Sequence, residues 1–182
     1  MEATASALGR FGHSKLNLSD VAAQAGISRP TLYTFFASKD ELLDAFNTYE
    51  LELLSAEIAQ ATDGLTGQAR LDAALAVMVD IHQSQRLRRM VDVEPHQVLT
   101  QMSRALPVMF ELFLPAFQGA VTDPEIATTA AVRIGISHYL VPSHDDGQLL
   151  AQLRLATYGS IIAVASSRVV YESDLISGTG VS

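Results

Sequence analysis

The spacing of apolar residues is helical along almost the whole chain, and this constrains the fold more than any other feature. Apolar positions recur three and four residues apart, and no stretch alternates as a half-buried strand would. Glycines, prolines and short polar steps interrupt the pattern. The fold class is therefore all-α, with helices predicted over 2–11, 18–25, 29–35, 39–61, 66–84, 86–91, 95–105, 107–120, 124–140 and 146–170.

The composition excludes several classes of protein. The 182 residues are 48% hydrophobic and include no cysteine, so a core can form without disulfides, Cys-ligated metals or a cysteine nucleophile. The most apolar stretch, 155–167, is shorter than the ~20 residues that a membrane helix needs. The start lacks the pattern of a signal peptide. We therefore expect a cytoplasmic protein without a membrane partner.

The net charge of −8 is unevenly distributed, and it divides the chain near Lys39. Residues 10–39 carry four basic side chains against one acid, whereas residues 40–182 carry eight arginines against 18 acids. The sequence thus predicts a basic N-terminal domain, 1–39, and a larger acidic domain, 40–182. From Asp40 onward, apolar positions predict a long amphipathic helix through Leu42, Phe46, Tyr49 and Leu53.

Residues 17–43 contain the start and stop signals of two short helices. Asn17 and Ser28 are suitable N-caps, Gly26 suits the turn between the helices, and Pro30 fits a first helical turn. In the second helix, Leu32, Phe35 and Phe36 are predicted to pack inward, which leaves its polar side chains outside. This pattern fits a DNA-binding helix-turn-helix, and it fits an ordinary helical hairpin equally well.

A wider set of residues in this region resembles the DNA-binding signature of the TetR/AcrR family of transcriptional regulators. It consists of Asp20-Val21-Ala22, Ala25-Gly26-Ile27-Ser28, Thr31-Leu32-Tyr33, Phe36, Ser38-Lys39 and Leu42. The resemblance implies that 29–35 is a recognition helix, with Tyr33 and Lys39 on phosphates. The implied DNA contacts are Ser28, Arg29, Thr31, Tyr33, Thr34 and Lys39. Phe35 departs from the family pattern, because more polar residues are frequent there.

By the same resemblance, the larger domain binds an effector and dimerises. Its helices are rich in Met and Phe, which suit an apolar pocket but equally suit a plain core. The predicted ligand-binding residues are Met78, His82, Met90, Met102, Phe110 and Phe113. The apolar last two helices predict a dimer interface through Ile134, Leu153 and Ile161, with burial inside one subunit as the alternative.

The resulting prediction is a homodimeric repressor that leaves a palindromic double-stranded operator when a small apolar molecule binds. A ligand-blind interaction protein with a degenerate DNA-binding head is the first alternative. A helical enzyme is the second, although the sequence has no HExxH, GxSxG, P-loop or GxGxxG motif. No cofactor is expected. His138, His144, Asp145 and Asp146 are more readily explained as a helix end and cap than as a metal site.

Overall fold

The computed structural model describes residues 1–83, 95–141 and 147–158, and these contain eight helices and no strand. The all-α prediction is confirmed. The helices are α1 (Glu2–Lys15), α2 (Leu18–Ala25), α3 (Arg29–Phe35), α4 (Lys39–Thr62), α5 (Gly67–Gln83), α6 (Pro95–Phe117), α7 (Pro124–Leu140) and α8 (147–158).

The helix-turn-helix of α2 and α3 forms through the local signals that the sequence carries. The Asn17 Oδ1 accepts a hydrogen bond from the Asp20 backbone N–H at 3.0 Å, which caps α2. Gly26 ends α2 with a φ of 68°. The Ile27 N–H then bonds to the Ala22 carbonyl and the Gly26 N–H to the Ala23 carbonyl, as in a Schellman motif. The predicted caps and turn are confirmed.

Helix α1 bends at Gly12, where a break was predicted. Gly12 has a φ of 74° and a ψ of 169°, a conformation that a side chain would strain. The Leu16 N–H bonds to the Gly12 carbonyl and closes the last turn. Ala5, Ala7 and Leu8 on this helix pack against Leu18 and Val21 of α2 in the first of two hydrophobic cores.

Helix α4 belongs to both cores. Leu42, Leu43 and Phe46 are buried in the first, whereas Leu54 and Ile58 are buried in the second. Because each residue turns the helix by 100°, Leu42 and Thr62 lie on nearly opposite faces. The prediction of a single stripe was wrong at Tyr49 and Leu53, which are exposed. The stripe rotates around the helix since two different partners cover it.

The second core is formed by α5, α6, α7 and α8 together with the C-terminal half of α4. Its fully buried side chains include Leu71 and Leu75 of α5, Phe113 and Phe117 of α6, and Leu153 of α8. Helix α6 packs against both α5 and α7. Within the described residues, no helix combines the length and the apolarity needed to cross a bilayer.

Helix α6 is continuous, which corrects the prediction of two helices, 95–105 and 107–120, separated before Pro107. Pro107 and Pro115 both lie inside the helix. Each removes one backbone hydrogen bond, to the carbonyl four residues earlier. Because both prolines and the residues at those carbonyls, Ser103 and Glu111, are exposed, water can hydrate the freed oxygens. Buried Val98 and Phe113 hold the helix in place.

Candidate DNA interface and effector cavity

Helix α3 exposes most of its surface because one residue is enough to anchor it. Leu32 is buried in the first core, and Phe36 packs against that core from the extended residue that ends the helix. Ser28 caps the start by accepting a hydrogen bond from the Thr31 N–H at 3.2 Å. Arg29, Pro30, Thr31, Tyr33 and Thr34 are all exposed. This face is free to enter a groove.

The hydroxyl groups on this face are hydrogen-bonded within the helix. The Thr34 hydroxyl donates to the Thr31 carbonyl at 2.6 Å. The Ser28 and Thr31 hydroxyl oxygens are 2.8 Å apart, so one hydroxyl group donates a hydrogen bond to the other. Arg29 is the only charged residue of α3. The face therefore offers few hydrogen-bond donors to an incoming base.

Phe35 does not pack inward, and its prediction as a core residue was wrong. Its side chain is 68% exposed, more than that of Tyr33 at 54%. Phe35 is the last residue of a seven-residue helix whose inner face is already occupied by Leu32. Only Phe36, after the backbone leaves the helix, turns back toward the core. The exposed surface of α3 therefore includes a large apolar ring in addition to the polar side chains predicted from sequence.

Lys39 is half-buried, and its position differs from that of a freely extended phosphate contact. Its Nζ donates a hydrogen bond to the His13 carbonyl at 3.1 Å, across the gap between α4 and the end of α1. The first turn of α4 also contains Asp40 and Glu41. The Glu41 carboxylate accepts from the Ala37 N–H at 2.7 Å. Lys39 therefore joins two helices in addition to any role on DNA.

A cavity of about 160 Å³ lies between α5, α6 and α7. Its wall is apolar except for His82 and Tyr139, and burial raises the pKa of the Tyr139 hydroxyl. The cavity resembles in size an engineered apolar cavity that binds benzene. Its lining residues are Met78, Ile81, His82, Met102, Ala105, Met109, Phe113, Val132, Gly135, Ile136 and Tyr139.

Gly135 allows α7 to approach the imidazole of His82. A Cβ at Gly135 would lie 3.0 Å from the His82 Cε1 and 3.3 Å from its Nε2. The His82 Nδ1 is 2.5 Å from the Met78 carbonyl, which can only accept. The Nδ1 therefore donates to this carbonyl, and the Cε1–Nε2 edge of the ring faces Gly135 on α7.

Four of the residues predicted to bind a ligand line this cavity: Met78, His82, Met102 and Phe113. Phe110 is not among the lining residues, because it lies on another side of α6, and Met90 falls outside the described residues. The sequence analysis missed Tyr139 and Gly135, although both lie on the apolar α7. Val132, Gly135, Ile136 and Tyr139 are three or four residues apart and so share one face of a helix. This spacing was the available signal that they line the same cavity.

Two cavity residues also line the groove between the larger domain and the DNA-binding domain. Met102 and Tyr139 occur in the wall of this groove, whose volume is about 170 Å³. Its other side is formed by Ala5 and Leu8 of α1 and by Phe46 of α4. Met102 and Tyr139 thus line both the cavity and this groove.

The N-terminal region matches a known family. Residues 1–46 match the sequence model of bacterial regulatory proteins of the tetR family. The N-terminal domain is a TetR-family DNA-binding domain. The match ends at Phe46, the last α4 residue in the first core. A comparison with curated protein sequences gave no match.

Solved structures of TetR-family regulators share the fold of most of this chain. AlkX, a TetR-family repressor from Dietzia sp. implicated in biodegradation of n-alkanes, is 24% identical with a TM-score of 0.57, over 85% of this chain and 90% of AlkX. A regulator from Haloarcula marismortui is 22% identical with a TM-score of 0.63, again over 85% and 90%. SmeT, in complex with triclosan, is 19% identical with a TM-score of 0.62, over 85% and 87%. At these identities the similarity shows the fold.

Residues 1–46 are thus similar to TetR-family DNA-binding regions, and most of the chain shares the fold of TetR-family regulators, whereas the dimer residues stay a prediction. Leu153 is completely buried in the second core of a single chain. Ile134 is half-buried beside that core. Ile161 lies outside the described residues. The exposed apolar side chains in this part of the regulator are Ile126, Val141 and Leu155.

No metal-binding cluster of His, Asp or Glu occurs in the described ranges 1–83, 95–141 and 147–158. The His138 Nε2 is 2.9 Å from the Gln152 Oε1, an interaction that joins α7 to α8. His144, Asp145 and Asp146 lie outside those ranges. His138 thus contributes to the packing of α7 against α8.

Proposed function

We propose that this TetR-family regulator is a homodimeric repressor that acts in the cytoplasm and leaves a palindromic operator when a small apolar molecule binds. One observation supports the ligand response above the others. Met102 and Tyr139 line both the cavity and the groove against α1 and α4. A molecule that displaces either side chain changes the support of the DNA-binding domain. The six predicted DNA contacts, from Ser28 to Lys39, are part of this proposal.

The effector that the cavity favours is compact and apolar, with at most one polar group. A volume of about 160 Å³ admits a molecule about the size of a single aromatic ring. The His82 and Tyr139 side chains are the polar groups in its wall. SmeT, which shares the fold, was solved with a small molecule, triclosan. Phenol and toluene are therefore suitable first probes, since they differ only in the polar group.

The response follows from linkage between the two sites. If the effector binds the DNA-free form more tightly than the DNA-bound form, DNA must weaken effector binding by the same factor. A coupling of 1–3 kcal/mol, which is typical of such systems, corresponds to about a 5- to 150-fold change in operator affinity. This range sets the resolution that the measurement needs.

Operator binding is the first test. The purified full chain is used to select sequences from random double-stranded DNA, and the affinity is measured by fluorescence anisotropy. We expect a palindromic consensus, bound with two subunits per duplex in native mass spectrometry. In a bacterial reporter strain, the same operator placed in a promoter should lower expression when the regulator is present. Failure to select any sequence would contradict the proposal and favour the ligand-blind interaction protein.

The effector test uses a cavity-filling variant and a matched control. Ala105→Leu adds three carbons at a lining position, whereas Ala76→Leu makes the same change on the exposed face of α5. Phenol or toluene should raise the Tm of the wild type and of Ala76→Leu, but not that of Ala105→Leu. The same molecules should weaken operator binding in the first two proteins alone. An equal response of all three proteins would place the effector elsewhere.

A further inference from the structure

The exposed surface of α3 carries apolar groups at positions where a helix that recognises bases through hydrogen bonds would carry donors. Phe35 and Tyr33 are the two most exposed aromatic side chains of the DNA-binding domain. Pro30 is exposed as well. Thr31 and Phe35 are one helical turn apart, and Thr34 lies beside them, so these three residues share one side of the helix. Pro30, one turn before Thr34, lies at the edge of this side.

The threonine hydroxyl groups on that side make hydrogen bonds within α3 and its N-cap. The Thr34 hydroxyl hydrogen is donated to the Thr31 carbonyl, and the Thr31 hydroxyl is paired with that of Ser28. A base that approached here would meet the Phe35 ring and the threonine side chains, with no free hydroxyl hydrogen on Thr34. Arg29, the one charged side chain of α3, lies on the other side together with Tyr33.

In the major groove, thymine alone presents a methyl group, at C5, whereas the other three bases are distinguished there by their hydrogen-bond donors and acceptors. Aromatic rings and threonine methyl groups are the side chains that contact it. We propose that Phe35, beside Thr31 and Thr34, recognises thymine 5-methyl groups and is a specificity-determining residue of this regulator. The inference rests on the proposed function, because it requires that α3 enters the major groove.

The chemistry of the proposal allows a test that alters one methyl group. In the operator selected above, each thymine is replaced in turn by deoxyuridine, which keeps base pairing and removes only the methyl. Affinities are measured for the wild type, Phe35→Ala, Phe35→Leu and Tyr49→Ala. Tyr49 is an exposed aromatic residue on α4, far along the chain from α3, and serves as the matched control.

We expect the wild type to lose about fourfold in affinity for each contacted methyl that is removed, from the transfer free energy of one buried carbon. Phe35→Ala should bind the thymine operator more weakly and should no longer distinguish it from the uridine operator. Phe35→Leu should keep part of the discrimination, and Tyr49→Ala all of it. Because Phe35 is exposed, its truncation leaves the core intact, which thermal unfolding checks.

Three results would overturn the inference, and they differ in meaning. Operator binding that is insensitive to every uridine replacement in the wild type would refute methyl recognition while leaving the regulator assignment intact. Equal sensitivity in the wild type and in Phe35→Ala would assign the methyl contact to another residue. Absence of any selected DNA would instead refute the proposed function, and methyl recognition with it.

Discussion

Lys39 combines two physical roles in one side chain. Its ammonium group donates to the His13 carbonyl, which belongs to the last turn of α1 beyond the bend at Gly12. Carbonyl groups at helix ends lack intrahelical partners, so this bond satisfies one of them and fixes α1 against the start of α4. The same ammonium retains other N–H groups that can reach a phosphate. The charge of Lys39 and its position beside α1 thus both bear on the hydrogen bond to His13 and on contact with a phosphate.

Substitution of Lys39 should therefore lower both stability and operator affinity. We expect Lys39→Ala to reduce the free energy of unfolding by about 1–2 kcal/mol, because a hydrogen bond from a charged donor is lost. Urea unfolding measures this loss, and anisotropy measures the affinity. For the unfolding measurement, Lys15→Ala is the matched control, since Lys15 is exposed at the end of α1. An unchanged unfolding free energy in Lys39→Ala would show that the bond to His13 contributes nothing.

At the scale of elements, local signals determined the N-terminal helices, and tertiary packing determined the others. Asn17, Gly26 and Ser28 act on their own neighbouring backbone, so their roles could be predicted from sequence. The continuity of α6 could not, because the local effect of Pro107 favours a break and burial of Val98 and Phe113 outweighs it. The exposure of the polar side chains of α3 was predictable from sequence, whereas the exposure of Phe35 was not. The cavity required knowledge of which faces of α5 and α7 meet.

Helix α6 should gain stability when Pro107 is replaced by alanine. The new N–H can bond to the Ser103 carbonyl, and the steric conflict of the ring disappears. Since Pro107 is exposed, little packing is lost, and we expect a gain of about 1–2 kcal/mol after the larger unfolded-state entropy is subtracted. Calorimetry should show a Tm increase of roughly 2–4 °C per kcal/mol.

Pro124→Ala is the matched control for this change. Pro124 is the first residue of α7, where a missing N–H removes no helical bond. We expect no gain in stability there. If both variants were equally stable, α6 would already have adjusted its backbone to the proline at no cost.

For the whole molecule, the distribution of charge governs how binding depends on salt. Each DNA-binding domain offers four cations, Arg10, Lys15, Arg29 and Lys39, and the rest of the chain is strongly acidic. The cleft between α4 and α6, about 490 Å³ in volume, is lined by Asp40, Asp44 and Glu50 with Arg104 opposite. We expect such a body to repel the DNA backbone and to confine phosphate contacts to the N-terminal domains.

The number of phosphate contacts can be measured from the slope of log K for operator binding against log salt concentration. Two domains supply at most eight cations, and each neutralised phosphate contributes about −0.9 to the slope of log K against log salt concentration. We expect a slope shallower than about −7 between 50 and 300 mM KCl for the selected operator. Lys15→Ala should reduce its magnitude by up to about 2 in the dimer if Lys15 contacts phosphate, whereas Arg104→Ala should leave it unchanged. A slope steeper than −7, or one that depends on Arg104, would place arginines of the larger domain on DNA.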